Sequence, residues 1–214
     1  MADASADPER PGAERWVPDH PDLKRLRAAA PACRGCELWQ PASQVVFSSG
    51  PPGARVVLVG EQPGDVEDRE GEPFVGPAGR LLMKAVDDAG LERDDLYLTN
   101  AVKHFRFTQQ GKRRIHQTPD VAHVLACRPW LEAELQVVQP EVVVAMGATA
   151  ARAVLGPGVK VTRQRGQVVP APDADQRVVP TVHPSSVLRA RARKDFAAYD
   201  AFVADLRVVA GLLG

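Results

Sequence analysis

Four apolar runs, separated by helical patterns, set the framework of the chain. Nearly every position in each run is apolar, which is typical of a strand buried on both faces of a parallel sheet. The runs are ARVVLVG (54–60), LYLTNAV (96–102), EVVVAMG (141–147) and RVVPTVH (177–183). Because such strands alternate with helices along the chain, the pattern predicts a single-domain α/β protein, a three-layer α/β/α fold around a central, mainly parallel sheet.

Helical periodicity fills the intervals between the runs. Helices are predicted over 22–30, 78–90, 119–138, 148–156 and 194–213. The longest of them is expected to take Thr118 as its N-cap and Pro119 in its first turn. Two further segments are predicted to be irregular or extended: 159–169 as a hairpin-like strand segment and 171–176 as a surface turn.

Charge is balanced overall but uneven along the chain. The 27 basic residues equal the 27 acidic ones in number, so net charge does not indicate nucleic acid. Basic residues nevertheless cluster in KRR (112–114) and RARARK (189–194), and local basic patches bind phosphates. Residues 1–20 are small, acidic and contain proline, which predicts a disordered tail before a domain over 21–214. With no apolar run of about 20 residues and no signal peptide, we expect a cytoplasmic monomer without a membrane partner.

Polar motifs follow each apolar run, at the strand ends. They are GEQPG (60–64), Asn100, MGA (146–148) and HPSS (183–186). In open parallel sheets, ligands bind beyond the carboxyl ends of the strands. The sequence therefore predicts a functional site at this edge of the sheet.

Three cysteines indicate a metal or redox site. Cys33 and Cys36 form a CxxC motif, and Cys127 lies in the longest predicted helix. An odd cysteine count in a reducing compartment argues against a disulfide framework. A fourth ligand is available from His104, after the second run, or from His123, four positions before Cys127 on the same helix face. Spacing alone leaves both iron–sulfur and zinc chemistry open.

The strand-end motifs together resemble one protein family. GEQPGDVED, GEPFVGPAGRLL, YLTNAVK, ACRPWL, VVVAMGATA and TVHPSSVLR, in this order from Cys33 to Arg189, are similar to the iron–sulfur uracil-DNA glycosylases. Two features depart from the usual pattern of that family: His104 stands where a cysteine is common, and KRRIH (112–116) is an insertion. Both are typical of the subgroup called family X, so the sequence is identified as resembling a family X uracil-DNA glycosylase with that family's α/β fold.

The resemblance implies a four-iron four-sulfur cluster of structural role, with zinc as the alternative metal. Its ligands would be Cys33, Cys36, His104 and Cys127. A histidine ligand is known chemistry for iron–sulfur centres. His123 would then be an ordinary residue on the helix surface.

The resemblance also implies roles around a flipped-out uracil. Phe74 would stack on the base, Asn100 would read its edge, and His183 would stabilise negative charge at its O2 atom. Glu61 would stabilise the electron-poor sugar carbon. Gln62 is expected to contact uracil or sugar, and Gly60 to let backbone approach the base. The expected DNA contacts are Lys112, Arg113, Arg114, Ser185, Ser186, Leu188 as an apolar wedge, and Arg189.

His116 raises the main functional question. Gly111 to Asp120 are expected to form an exposed loop, in which Lys112, Arg113 and Arg114 precede His116. In family X this histidine is understood to trap the sugar cation, which leaves the protein joined to DNA after one turnover. The sequence thus predicts a uracil-excising repair protein that acts on DNA, including single strands. The alternatives are an ordinary hydrolytic iron–sulfur glycosylase and a non-catalytic, metal-containing DNA-binding module.

Overall fold

Six strands form the central sheet of the computed structural model, which describes residues 10–171 and 176–214. The order across the sheet is β1-β3-β2-β6-β8-β7, in which β1 and β7 are short antiparallel edges and the other four strands are parallel. The bounds are β1 (Ser48–Ser49), β2 (Val56–Gly60), β3 (Leu96–Asn100), β6 (Val142–Met146), β7 (Val169–Pro170) and β8 (Arg177–Thr181). The four predicted strands are confirmed, each inside its apolar run.

Alternation along these strands divides the core into two halves. Val57, Val59, Val143 and Ala145 face one side, whereas Val56, Leu58, Val142 and Val144 face the other. Helices cover both faces, because each half of the core is apolar and has to be removed from water. The predicted three-layer α/β/α fold is therefore confirmed.

Eight helices are present among the described residues. The first face of the sheet is covered by α1 (Leu23–Ala29), α4 (Val121–Val138) and α5 (Ala148–Leu155), and the second by α3 (Pro77–Ala89), α7 (Pro184–Ala192) and α8 (Ala197–Leu212). Two short helices, α2 (Asp65–Glu70) and α6 (Val161–Gln164), complete the set. The prediction of an extended segment over 159–169 is wrong, because α6 occupies its middle and only its last residue enters β7. The predicted turn over 171–176 lies mostly outside the described residues.

The longest helix begins later than predicted. Asp120, not Thr118, is the N-cap of α4, and its side chain accepts a hydrogen bond from the backbone N–H of His123 at 3.1 Å. A carboxylate at the N-cap satisfies a free N–H group and favours the positive end of the helix dipole. Thr118 instead offers its carbonyl oxygen to the guanidinium of Arg106, at 2.6 Å.

The segment before α1 is packed against the domain from Arg10 onward. Ala13 is fully buried, and the backbone N–H of Gly12 donates to the carbonyl of Gly35 at 3.1 Å. Arg10 forms an ion pair with Glu37 at 2.7 Å. The part of the predicted tail from Arg10 to Ala13 therefore packs against the domain, and residues 1–9 lie outside the described part.

The segment around KRRIH is a β-hairpin, so the prediction of an irregular loop is wrong. It is built from β4 (Phe107–Gln110) and β5 (Arg113–His116), with Phe107 opposite His116. Gly111 turns the chain with a φ of 57°, a conformation that glycine adopts at no steric cost. We call this element the His116 hairpin. No described helix is both long and apolar enough to cross a bilayer.

Candidate functional site

A pocket lies at the carboxyl edge of the sheet, where the sequence predicts a site. We call it the strand-end pocket. It is lined by Glu61, Gln62, Pro63, Gly64, Glu67, Phe74, Ala78, Asn100, His116, Thr118, His183, Ser185 and Arg189. The residues predicted for base binding and catalysis thus lie together, although they come from five separate segments of the chain.

The Phe74 ring and the Asn100 side chain both lie against Gly60. A Cβ atom on Gly60 would lie 2.3 Å from the Asn100 Oδ1 atom and 2.8 Å from the Phe74 ring, so only glycine permits this approach. Phe74 has a φ of 59°, which is unusual for a residue with a bulky side chain and indicates a conformation imposed by its surroundings. Its carbonyl group lies where a side chain of Gly79 would be. The ring and the amide are therefore held in a fixed arrangement, suited to stacking on a planar base and reading its edge.

His183 is held as a neutral hydrogen-bond donor. Its Nδ1 atom lies 3.2 Å from the backbone nitrogen of Ser185, which can only donate, so the ring proton is on Nε2. Burial lowers the pKa of His183 to about 4, with His116 and Arg189 acting in the same direction. At neutral pH the ring is uncharged and its Nε2–H remains available for a ligand.

The serines predicted to bind DNA phosphates contact His183 instead. The Ser185 hydroxyl lies 2.9 Å from the His183 Nδ1 atom, and the Ser186 hydroxyl donates to the His183 carbonyl at 2.7 Å. Arg189 is exposed at the pocket and lies within 3.4 Å of the Ser185 hydroxyl. Leu188 is half-buried and packs against the core, so in this structure it does not project as a free wedge.

Glu61 is fixed between a threonine and the predicted nucleophile. The hydroxyl of Thr149, in the first turn of α5, donates to one carboxylate oxygen at 2.5 Å. The other oxygen lies 3.4 Å from the His116 Nε2 atom. Burial lowers the pKa of His116, while Glu61 opposes and Arg189 reinforces this shift. The imidazole is therefore neutral at pH 7 and retains a nucleophilic lone pair.

Gln62 binds protein backbone, and its expected contact with uracil or sugar stays a prediction. Its amide nitrogen donates to the carbonyls of Arg106 and Gln117 at 3.1 and 3.0 Å, and its amide oxygen accepts from the N–H of Arg106 at 2.9 Å. These two residues flank the His116 hairpin at its base. All three bonds of this buried amide thus join the hairpin to the GEQPG motif. Both amide protons are used, and one lone pair of the oxygen remains for a ligand.

Arg114 is tied to acidic residues, which contradicts its expected role as a phosphate clamp. Its guanidinium forms ion pairs with Asp65 and with the buried carboxylate of Asp68 and lies over the rings of Phe105 and Phe107. The side chain is only 12% exposed, so a phosphate could bind it only by displacing these partners. Lys112 and Arg113, by contrast, are exposed at the tip of the hairpin, and their DNA contacts stay a prediction.

The four predicted metal ligands line a second, much smaller cavity, the cysteine cavity. Cys33, Cys36, His104 and Cys127 surround it together with Ala13, Gly35, Val45, Lys103, Ala126 and Trp130. All four predicted ligands are buried. The Cys33 sulfur accepts hydrogen bonds from the Trp130 ring and the Gly35 backbone, and the Cys127 sulfur from the Lys103 backbone, at 3.3 to 3.4 Å. Donors of this kind stabilise thiolates.

The donor set of this cavity, three thiols and one imidazole, is chemically suited to an iron–sulfur cluster or to zinc. Among the described residues, no group of three or more His, Cys, Asp or Glu side chains is arranged to hold one metal ion. Without a bound cation, burial raises the pKa of Cys36 to about 11 and that of Cys127 to about 12. Metal loading would therefore release protons.

His123 is buried, so the prediction that it lies on the helix surface is wrong. Its two ring nitrogens lie 2.7 Å from Glu37 and 2.7 Å from Asp120. Arg10 also pairs with both carboxylates, and chiefly through this contact the pKa of Glu37 is lowered to about 2. His123 therefore belongs to a network that joins the N-terminal segment, the CxxC loop and α4, not to the metal site.

Two residues that shape the strand-end pocket escape prediction. Thr149 orients Glu61, as described above. Glu67 accepts hydrogen bonds from the backbone N–H groups of Gly64 and Gly76, at 3.1 and 2.8 Å, and so joins the two loops that border the pocket. The acidic run DVEDRE, which contains Glu67, is visible in the sequence. Buried carboxylates need hydrogen-bond donors, but the sequence does not show which backbone N–H groups supply them.

Comparison with known proteins shows the family of the chain. The Uracil DNA glycosylase superfamily model matches residues 47–207, and the chain belongs to this superfamily. Within it, the chain is similar to type-4 uracil-DNA glycosylases: it is 36% identical to that of Thermotoga maritima over 163 residues, which cover 76% of this chain and 81% of that protein. It is also 32% identical to the type-4 protein of Archaeoglobus fulgidus over 172 residues, 77% of this chain and 83% of that protein. The type-4 protein of Sulfurisphaera tokodaii is 32% identical over 173 residues, 78% and 76% of the two chains.

Proposed function

We propose that this protein excises uracil from DNA, single strands included, and then becomes covalently joined through His116 to the abasic sugar, as expected of the family X subgroup. Membership of the superfamily and the names of its relatives support excision. The observation that supports the covalent step is the position of the His116 ring. The His116 hairpin, whose base is hydrogen-bonded to Gln62, holds this ring at the pocket, 3.4 Å from Glu61.

Bond cleavage depends on neutralising the departing base. The uracil stacks on Phe74 while the Asn100 amide pairs with its O4 and N3–H groups. The bond between the sugar C1′ and the base N1 breaks, and both electrons leave with uracil. The Nε2–H of neutral His183 donates to O2 as negative charge develops there; one such donor contributes about 3 kcal/mol to transition-state stabilisation. Glu61 stabilises the positive charge on the sugar.

His116 then competes with water for the sugar cation. The lone pair of its unprotonated ring nitrogen forms a bond to C1′, which leaves an imidazolium and a uracil anion in charge balance. The imidazolium N–H later loses its proton to solvent, and uracil takes one up. Glu61, fixed by Thr149, stabilises the imidazolium at the moment it forms. After this proton is lost, the neutral imidazole bonded to C1′ is a poor leaving group, so each protein molecule reacts once.

The cysteine cavity is proposed to hold a four-iron four-sulfur cluster through Cys33, Cys36, His104 and Cys127. The donor set and the burial of these four side chains support this assignment. When bound, the cluster would cross-link the CxxC loop, α4 and the segment after β3. This role is structural, since no step of glycosidic cleavage transfers an electron. A brown preparation with iron and sulfide in equal amounts is expected; a colourless one containing zinc would contradict it.

A denaturing gel tests the covalent proposal. Wild-type protein is incubated with a labelled single strand that contains one uracil, and a protein–DNA band that survives detergent is expected. His116→Ala should lose this band, whereas His183→Ala should lose uracil release itself. Multiple turnovers without a band would indicate a hydrolytic glycosylase. Absence of uracil release from the wild-type protein would indicate a DNA-binding module.

A further inference from the structure

The corner between α7 and α8 is the most prominent exposed feature outside the pocket. Residues 191–197 are all exposed, and they include Arg191, Arg193, Lys194 and Phe196. Phe196 is 62% exposed, more than any other large apolar side chain in the described part of the chain. The corner therefore presents one exposed aromatic ring beside three cations.

Contacts along α8 place this corner on the same side as the strand-end pocket. Near the end of α8, Leu212 accepts a hydrogen bond from Arg177, the first residue of β8. Halfway along the helix, the Asp205 carboxylate accepts from the hydroxyl of Thr181, the last residue of β8, at 2.5 Å. The first eight residues of α8 therefore extend past the carboxyl end of β8. At 1.5 Å per residue this projection is about 12 Å.

One face of α7 connects the pocket with the corner. Ser185 and Arg189 line the pocket, and Arg193 follows them at the same spacing of four residues. Side chains four residues apart lie on one face of a helix, so a polar and basic row runs for about 12 Å from the pocket to Arg193. Beyond it lies Lys194, which has a φ of 63°, and then Phe196.

The one acidic residue of the corner offsets only part of its positive charge. Three cations stand against Asp195 in residues 191–197, and the Asp195 carboxylate accepts a hydrogen bond from the backbone of Ala198 at the start of α8. Arg191 lies over the ring of Tyr199, 5.5 Å from its centroid, and is partly engaged. Arg193 and Lys194 are exposed beside Phe196. Alternating cations and an exposed ring are the pattern by which proteins bind single strands, with cations on phosphates and a base stacked on the ring.

We propose that Arg193, Lys194 and Phe196 form a track for the DNA strand that flanks the excised uracil. The phosphates of that strand would pass from Arg189 to Arg193 and Lys194, and an unpaired base would stack on Phe196. The inference deepens the proposed function, since it names single-stranded DNA as the substrate form that gains from this surface. A duplex keeps its bases paired and offers none to Phe196.

Reversible binding of a uracil-free strand tests the track without the covalent step. Fluorescence anisotropy gives Kd for a labelled single strand of about 12 nucleotides at several salt concentrations. Arg193→Ala/Lys194→Ala should raise Kd about tenfold at low salt and reduce the slope of log K against log salt by about 1.4, which is two contacts at about 0.7 each. Phe196→Leu should raise Kd about fivefold without changing the slope, and Phe196→Trp should have a Kd close to that of the wild-type protein.

The matched control is Lys24→Ala/Arg163→Ala, which removes two exposed cations on α1 and α6, helices that pack against the other half of the core. All variants should keep the wild-type Tm, because every replaced side chain is exposed. An unchanged Kd and slope in the Arg193/Lys194 variant, or equal weakening in the control, would overturn the track. Equal weakening by Phe196→Leu and Phe196→Trp would overturn base stacking. Uracil release by the wild-type protein is measured in parallel, so a failure of the proposed function is recognised separately.

Discussion

The strand-end pocket and the cysteine cavity are built on the same stretch of chain but in opposite ways. The pocket is open, polar and lined by groups that can hydrogen-bond a ligand, such as Asn100 and His183. The cavity is much smaller, and its predicted ligands are three buried thiols and one buried imidazole, that of His104. Asn100 and His104 are only four residues apart. The contrast shows that a short segment can serve recognition at one end and cross-linking at the other.

Lys103 lies between the two sites and contacts both. Its ammonium donates to the Asn100 carbonyl at 3.0 Å, and its backbone N–H donates to the Cys127 sulfur at 3.3 Å. The ammonium also pairs with the fully buried carboxylate of Glu134 at 2.5 Å. We therefore infer that the cavity fixes the position of Asn100 through Lys103, although no chemistry is shared between the sites.

Removal of this buried cation should give the largest effect. Lys103→Met leaves the Glu134 carboxylate buried without its partner, and breaking such a pair costs about 3–5 kcal/mol of unfolding free energy. Urea denaturation measures this loss, and uracil release should fall with it. Lys103→Met/Glu134→Gln, which removes both charges, should recover a large part of the stability. A loss below about 1 kcal/mol in the single variant would argue against the coupling.

The amide of Gln62 should matter for trapping and not for excision. Gln62→Ala removes three hydrogen bonds that hold the base of the His116 hairpin, so the adduct should form tenfold or so more slowly. Uracil release should change by less than about threefold, because Phe74, Asn100 and His183 keep their places. Rapid quench with separate assays for free uracil and adduct distinguishes the two.

Gln44→Ala is the control for that variant, since its amide also binds backbone carbonyls, those of Asp68 and Arg69, but away from the hairpin base. Equal slowing of excision and trapping by Gln62→Ala would instead place Gln62 in base recognition.

The hydroxyl of Thr149 should contribute a smaller factor. Thr149→Val keeps the shape of the side chain but removes the hydrogen bond to Glu61, which should slow adduct formation about five- to tenfold because the acceptor is charged. Thr149→Ser retains the hydroxyl and should remain close to wild type. The single-turnover rate constant for the adduct is the measurement, and similar rates for the two variants would refute an orienting role.

The pH profile of trapping should show the smallest effect. Trapping requires neutral His116, whose pKa is lowered by burial, so the rate should fall only as pH drops through that lowered value. At pH 6.5, where an ordinary imidazole is about half protonated, the rate should exceed half of its plateau value. His183, with its pKa of about 4, stays neutral throughout this range. A midpoint at or above about 6.5 in the adduct rate would contradict the burial of His116.

Local pattern predicted the sheet well because each strand is apolar on both faces. The same rule failed for the His116 hairpin, since FTQQ and RRIH form a two-stranded ribbon without a buried face and therefore without an apolar signal. The polar motifs that follow the strands predicted the position of the pocket, because parallel strands bring their carboxyl ends to one edge of the sheet.

Long-range polar partners could not be predicted. Arg114 pairs with Asp65 and Asp68, which lie 49 and 46 residues away, and His123 pairs with Glu37 at a separation of 86 residues. A side chain's own neighbours in sequence do not show whether it meets a carboxylate or solvent. The sequence therefore predicts that Arg114 contacts DNA and that His123 lies on the helix surface. In the fold, acidic residues distant in sequence contact both side chains.

The most direct test is to locate the bond itself. Wild-type protein is reacted with a short uracil-containing strand, the DNA is digested to the attached sugar, and the peptides are mapped by mass spectrometry. We expect the added sugar mass on His116 alone, in an amount equal to the uracil released. Added mass on Glu61 or Lys112, or free abasic DNA in excess over protein with no modified peptide, would contradict capture by the imidazole.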